Sequence, residues 1–320
     1  MSADIIFKIV DELRERKRLL ILQHENPDGD SISSSLALNS LFTRLGNRVS
    51  VVLPEEVPEI FQFLPGVRKI GIKKEVDLSL FDAVILVEAQ SFERTGVNVK
   101  FDGFEGSVII IDHHVKENLM HGAIVMNDEL ASSSAEIVYR FFKLLDIPIK
   151  KEEALLLFVG IYTDTGRFQE SNTTSSSLKI ASELVEVGVD VKKVYEKLYG
   201  ENSLKRWLLL SKVLSNIEID DGISIMKVKR EYLKETGTEM QDTRDFINFA
   251  RDIKGVEVAI LLREDEGGVR VTFRSKKMDV SRIAKKFHGG GHKLASGCFL
   301  KGFGLEEAKR KVIEILKENL

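Results

Sequence analysis

Cysteine is nearly missing from this chain. Cys298 is the single one in 320 residues, so no intramolecular disulfide can form and a reducing compartment is expected. Met1 to Lys8 offers no basic region followed by a long apolar stretch, so no secretory leader is read there and the expected location is cytoplasmic. The longest apolar runs, such as Ala154 to Gly160 and Val108 to Ile111, stop far short of the ~20 residues that cross a bilayer, which excludes membrane insertion. Charge of one sign is not in excess either: 47 basic and 50 acidic residues leave a net charge of −3. Such a balance carries no global field for gripping long nucleic acid, so a polyanion must be met locally. Five tyrosines and the single Trp207 make no aromatic ladder for a long single strand, and short substrates fit better.

What is present points to an α/β protein of two domains, since a chain of this length outgrows one core. Leu19 to Gln23, Val49 to Leu53, Ala83 to Val87 and Val108 to Ile111 are continuous apolar runs, while Ser33 to Leu45 and Ser133 to Leu145 repeat apolar residues at helical spacing. Strands without polar alternation are buried on both faces, which predicts a parallel sheet flanked by helices. After Lys151 the pattern turns helical, and from about Ile217 alternating strands return. The expected division is a catalytic, metal-binding domain over 1–189, a helical linker over 190–205, and a smaller C-terminal α/β domain over 206–320.

In a parallel sheet, ligands gather at the carboxyl ends of the strands. There the first run enters His24-Glu25-Asn26-Pro27-Asp28-Gly29-Asp30, the third ends at Glu88-Ala89-Gln90, and the fourth at Asp112-His113-His114. Asp164 closes an apolar helical run, where a helix end prefers cations. His24, Asp28, Asp30, Glu88, Asp112, His113, His114 and Asp164 in one cleft would repel by several kcal/mol unless cations lie between them. Two divalent ions would neutralise them, and the carboxylate-rich donor set favours Mn²⁺. Paired ions of this kind suit in-line hydrolysis of a phosphoester or phosphoanhydride with water as nucleophile. Turn chemistry and helix capping account equally well for Asn-Pro-Asp-Gly taken alone. A second signal, His288-Gly289-Gly290-Gly291-His292, combines glycines that let backbone amides approach an anion with the imidazole of His292 as donor. Arg274, in Arg274-Ser275-Lys276, could pair bidentately with a terminal phosphate.

With Asp112-His113-His114 at a strand end, the chain resembles the DHH phosphoesterases over nearly its whole length, and among them those with a C-terminal DHH-associated domain, the bacterial nanoRNases. The resemblance implies that His24 and Asp28 hold one ion and Asp30, His113 and Asp164 the other, with a bridging carboxylate at position 88. It further implies that His114 meets substrate or stabilises charge, with Asp112 orienting an imidazole. Glu88 departs from the family's usual aspartate, and its extra methylene displaces the carboxylate by roughly 1.5 Å. Arg94 matches a family position, and Gly289, Gly290, Gly291 and His292 resemble the substrate-binding loop, from whose usual form His288 and Ser296 depart. The activity so implied is Mn²⁺-dependent hydrolysis of short oligoribonucleotides and linear dinucleotides to 5′-mononucleotides by a homodimer. Rival expectations are a phosphatase for 3′-phosphoadenosine 5′-phosphate, a catalytically weak nucleotide-binding protein marked by Glu88, and an inorganic pyrophosphatase.

Overall fold

The structure, a computed structural model, describes residues 3–116 and 119–318, leaving out the side chain of His292. It divides into two compact units, 1–200 and 201–320. In the first, α1 (Ala3–Arg14) leads into β1 (Arg18–Gln23), α2 (Gly29–Arg44), β2 (Arg48–Leu53) and β3 (Gly71–Ile72). A two-stranded ribbon, β4 (Glu75–Asp77) with β6 (Asn98–Lys100), brackets β5 (Ala83–Val87), and β7 (Ser107–Asp112) and β8 (Ile124–Asn127) complete the strands. Five helices follow, α3 (Ser134–Leu144), α4 (Lys151–Asp164), α5 (Ser175–Val187), α6 (Val191–Tyr195) and a π-helical turn over 196–200. The main sheet is parallel throughout, in the order β3-β2-β1-β5-β7-β8.

Alternate residues of each strand feed two cores, which is why the runs are apolar without interruption. Leu19 and Ile21 of β1, with Ile85 and Val87 of β5 and Ile109 and Ile111 of β7, face the helical core that includes Phe42, Phe141 and Phe158. Leu20, Leu22, Val84, Leu86 and Ile110 face the opposite layer, closed by Val76, Leu78, Phe92 and Val97. Chain order reverses direction between β1 and β5, so the carboxyl ends of β1, β5 and β7 meet at the switch point where such sheets bind ligands.

The segment expected to link the domains instead packs on the first unit. Val194 and Leu198 are buried in its core, and the division falls after Gly200. Helical spacing alone made 190–205 a linker; the apolar faces of α6 and the turn after it find a partner that only the tertiary structure supplies.

The second unit holds α7 (Leu204–Ser215), β9 (Glu218–Asp220), β10 (Ile223–Val228), α8 (Arg230–Thr236), α9 (Phe246–Arg251), β11 (Val258–Asp265), β12 (Gly268–Ser275), α10 (Ser281–Lys286), β13 (Gly290–His292), β14 (Ala295–Lys301) and α11 (Leu305–Lys317). Its sheet runs β13-β14-β12-β11-β10-β9, with β10 and β11 parallel and the other pairs antiparallel. The glycine run was read as an anion-binding loop, whereas Gly290 to His292 form the edge strand β13. A Cβ at Gly289 would lie 2.2 Å from the Gly297 carbonyl oxygen and one at Gly291 2.6 Å from that of Ala295, so close strand approach demands these two glycines.

Two expectations follow. A Cβ at Gly160 on α4 would meet the Ala135 Cβ at 2.5 Å and Asp30 Oδ1 at 2.6 Å. Gly160→Ala should therefore destabilise by about 1–3 kcal/mol, at about 2–4 °C of melting temperature per kcal/mol, as read by calorimetry. Cys298 is buried and its thiol is pushed up to about 11 by that burial. Iodoacetamide at pH 8 should alkylate it roughly two orders of magnitude more slowly in the native chain than in urea, and equal rates would contradict this burial.

Candidate metal centre

Each polar residue of the first motif is placed by the turn from β1 into α2. Asp28 is the N-cap of α2, its Oδ1 accepting from the Ser31 amide at 2.9 Å while the Ser31 hydroxyl accepts from the Asp28 amide at 3.1 Å. The carboxylate stays half exposed above the helix end. His24 Nδ1 lies 2.7 Å from the Glu25 carbonyl oxygen, so the ring donates there and turns Nε2 toward Asp28 Oδ1 at 3.9 Å and Glu88 Oε2 at 3.6 Å.

Asp30 was expected on the turn beside them; it lies inside the first turn of α2 and is 1% exposed. Its Oδ2 accepts from the Ser134 amide at 2.6 Å, and its Oδ1 from the Ala135 amide and the Ser34 hydroxyl, each at 3.0 Å. Asp30 thus meets the N-terminus of α3, where orphan amides and the helix dipole favour an anion. Gly160 provides its room. Burial first, then the charges of Glu88, Asp164 and Asp28, push the Asp30 carboxyl well above the usual range.

Glu88 follows β5 in a left-handed conformation, φ 54°, a region costing about 1–2 kcal/mol for a residue with a Cβ. Such strain gathers at functional sites. The turn sets its carboxylate between two imidazoles, with Oε1 3.3 Å from His113 Nε2 and Oε2 3.6 Å from His24 Nε2. Burial opposes its charge, yet His113 and His24 hold the Glu88 carboxyl well below the usual range. Burial also works against both cations, but Glu88 and the facing aspartates push His24 and His113 up to about 9.

At the end of β7, Asp112 accepts from the amides of His113 at 2.8 Å and His114 at 3.0 Å, from His114 Nδ1 at 2.6 Å, and from Gln90 Nε2 at 2.9 Å. Despite burial these donors hold its carboxyl below the usual range, so it is an anion and His114 Nδ1 donates to it. The His114 ring therefore meets the cluster through Nε2. Asp164 is the last residue of α4, its Oδ2 3.7 Å from His113 Nε2. Burial foremost, with Glu88 and Asp28 adding and His113 opposing, pushes it up to about 7. After it Gly166, Arg167 and Phe168 all have positive φ, a turn that returns the chain so that Asn172 Nδ2 meets Asp164 Oδ2 and its carbonyl oxygen, each at 3.1 Å.

Among the described residues, two groups have ligand atoms within 4.8 Å of one another: His24, Asp28 and Glu88, and Glu88, His113 and His114. They share Glu88. Both Glu88 oxygens and His113 Nε2 are buried without a hydrogen bond of good geometry, the carboxylate facing two imidazoles at 3.3 and 3.6 Å, so these atoms keep their capacity to meet a metal ion. Donors of this kind fit a divalent ion.

No sequence signal assigns a role to Gln90, Asn127 or Asn172. Gln90 also donates to the Val115 carbonyl at 3.1 Å, and Asn127 Nδ2 to that of His114 at 2.9 Å. Amides give no spacing signal of their own, though Gln90 lies at a strand's carboxyl end. Arg94 joins the site through its backbone, its carbonyl accepting from the Glu25 amide at 2.8 Å, while its side chain is exposed. Arg274 and Gly289 to Gly291 belong to the second unit, and the His292 side chain lies outside the described residues.

A parallel α/β sheet with this carboxylate and imidazole cluster at its switch point is that of a divalent-metal-dependent hydrolase of phosphoester bonds. Residues 18–161 match the DHH family, N-terminal domain, and residues 223–320 the DHHA1 domain. The chain belongs to the DHH family. It is 33% identical over 304 residues to the bifunctional oligoribonuclease and PAP phosphatase NrnA of Thermus thermophilus, covering 94% of this chain and 90% of that one. With the enzyme of the same name from Bacillus subtilis it shares 26% over 306 residues, 93% of each. The crystal structure of an exopolyphosphatase-related protein from Bacteroides fragilis superposes with a TM-score of 0.89 at 26% identity, over 99% of this chain and 97% of that one.

Replacing the shared carboxylate tests the centre directly. Glu88→Gln should weaken Mn²⁺ binding by at least about 100-fold, and a calorimetric titration giving wild-type affinity would contradict a centre built around Glu88.

Proposed function

We propose that this chain hydrolyses short oligoribonucleotides and linear dinucleotides to 5′-mononucleotides with two Mn²⁺ ions, and that it also removes the 3′-phosphate of 3′-phosphoadenosine 5′-phosphate. The observation that carries the reading is Glu88 lying between two ligand groups with no hydrogen bond of good geometry to its oxygens. The second activity is favoured by the relatives, whose names join an oligoribonuclease to a PAP phosphatase. His24 and Asp28 would hold one ion, His113, Asp164 and Asp30 the other, with Glu88 common to both. Ions so held would supply Lewis acidity toward a phosphate and would lower the pKa of water.

The protein's own groups then act as follows. Asp112 keeps the proton of His114 on Nδ1 and so presents Nε2 to the phosphate. Gln90 and Asn127 hold Asp112 and the His114 backbone in place, and Asn172 holds Asp164. Water displaces the 3′ oxygen of the preceding nucleotide, leaving the phosphate on the 5′ carbon of the next. In the second unit, Arg274 and the backbone of Gly290–His292 are the groups suited to contact a nucleotide phosphate. A cytoplasmic homodimer is part of the same reading; sedimentation equilibrium decides the dimer.

The test incubates metal-stripped, Mn²⁺-reloaded protein with a diribonucleotide, 3′-phosphoadenosine 5′-phosphate and pyrophosphate in parallel. Mn²⁺-dependent release of 5′-mononucleotide, lowered at least about 1,000-fold by Asp164→Ala, is the expected result. An inert wild type with an active Glu88→Asp variant would instead make this chain a nucleotide binder whose chemistry was lost at that carboxylate.

A further inference from the structure

Glu136 lies on the first turn of α3 and is 1% exposed, outside the cluster described above. A capping box would turn the carboxylate of this third helical residue back to the amide of the N-cap, Ser133. Instead Glu136 Oε2 accepts from the amide of Ser132, one residue further out, at 3.0 Å and from its hydroxyl at 2.9 Å, while Oε1 accepts from the Ser176 hydroxyl at 2.7 Å. Burial opposes its charge, but hydrogen bonds from Ser176, Ser132 and Arg140 hold the carboxyl below the usual range, so Glu136 is an anion. Its cation is Arg140, one helical turn on, with Nη2 2.7 Å from Oε1. The same guanidinium places Nη1 2.6 Å from Asp128 Oδ2. One planar fork thus spans two carboxylates on different stretches of chain, a geometry that a lysine ammonium, being a point charge, serves less well.

Both stretches lead to the cluster at the sheet's switch point. The Asp128 amide donates to the Asp112 carbonyl at 3.0 Å, and its neighbour Asn127 donates to the His114 carbonyl at 2.9 Å, so Arg140 anchors the chain that borders the end of β7. From Glu136 the path runs through Ser132, whose carbonyl accepts from Asn172 Nδ2 at 3.0 Å, the same nitrogen that donates to Asp164 Oδ2. Between Ser132 and Glu136 lie the Ser134 and Ala135 amides that donate to Asp30. The start of α3 therefore meets Asp30 directly, Asp164 through Asn172, and the 112–114 segment through Asp128.

We propose that Arg140 and Glu136 are positioning residues for the metal centre: their ion pair fixes the 112–114 segment and Asp164 against the helix end that holds Asp30. This rests on the metal-dependent reading above, and the pair acts through those side chains without touching ion or substrate. The alternative role is a staple that stabilises α3 and nothing more.

The experiment compares full-length wild type with Arg140→Met, Arg140→Lys, Glu136→Gln and Lys143→Met, all well below their melting temperatures. Lys143→Met is the control, removing an exposed ion pair to Glu183 from the same helix. Thermal melting, Mn²⁺ affinity by calorimetry, and kcat and KM on a diribonucleotide at saturating Mn²⁺ are measured for each. Arg140→Met should lower Mn²⁺ affinity and kcat at least about tenfold, as loss of a group that orients metal ligands does, and leave KM within about twofold. Arg140→Lys should recover part of both losses. Glu136→Gln, which keeps an acceptor for Ser132 and loses the ion pair, should fall between Arg140→Met and wild type, and Lys143→Met should match wild type in affinity and kcat. A lower melting temperature in Arg140→Met with wild-type Mn²⁺ affinity and kcat would overturn the proposal in favour of the staple, as would equal losses in Lys143→Met. A wild type that binds Mn²⁺ but cleaves no nucleotide, with affinity still reduced by Arg140→Met, would uphold the positioning role and overturn the nucleotide reading; a wild type that binds no Mn²⁺ would overturn both. If Arg140→Met does not fold, Arg140→Lys and Glu136→Gln decide, and wild-type Mn²⁺ affinity and kcat in both would sink the proposal.

Discussion

Burying a carboxylate is costly unless positive charge faces it, and Glu88 is buried between two imidazoles with no hydrogen bond of good geometry to its oxygens. The first unit is arranged around that group. Parallel strands bring the ends of β1, β5 and β7 together, and the left-handed turn after Val87 directs the carboxylate between His24 and His113. A divalent cation at this carboxylate would convert the cost into affinity.

The surrounding polar groups are consequences of keeping that charge cluster in one geometry. Asp112 fixes His114 and is itself fixed by Gln90, while Asn172 returns from a strained turn to hold Asp164. Asp30 ties α2 to the start of α3, and glycine at position 160 is the residue that admits its carboxylate. These partners restrict the rotamers of the clustered side chains, and such restriction holds a site in one geometry.

Glu88 also shows what a longer side chain does at the end of β5. One methylene more than aspartate would overshoot if the backbone were that of a regular strand. Here the positive φ ends the strand and the two oxygens divide between the imidazoles, so the longer side chain reaches both. The second unit shows the complementary economy: its glycines allow close backbone approach at 289, 291 and 297 and leave open space at 290.

The amino-acid sequence by itself determined the parallel sheet, because β-branched runs without polar alternation must be buried on both faces, and it marked the polar cluster, because histidines and carboxylates at strand ends have little other reason to gather. It also carried the family through Asp112-His113-His114. Only the tertiary structure decided which of those groups share a centre, since His24, Glu88, His113 and Asp164 are far apart in the chain and meet through strand order. Tertiary contact likewise decided that 190–200 packs on the first unit and that the glycine run is an edge strand. It also decided that Gln90, Asn127 and Asn172 serve the site and that Arg140 reaches both Asp128 and Glu136. Amide side chains and arginines are common on any surface; what they do depends on which partners the fold brings within 3 to 4 Å, and local sequence does not encode those partners.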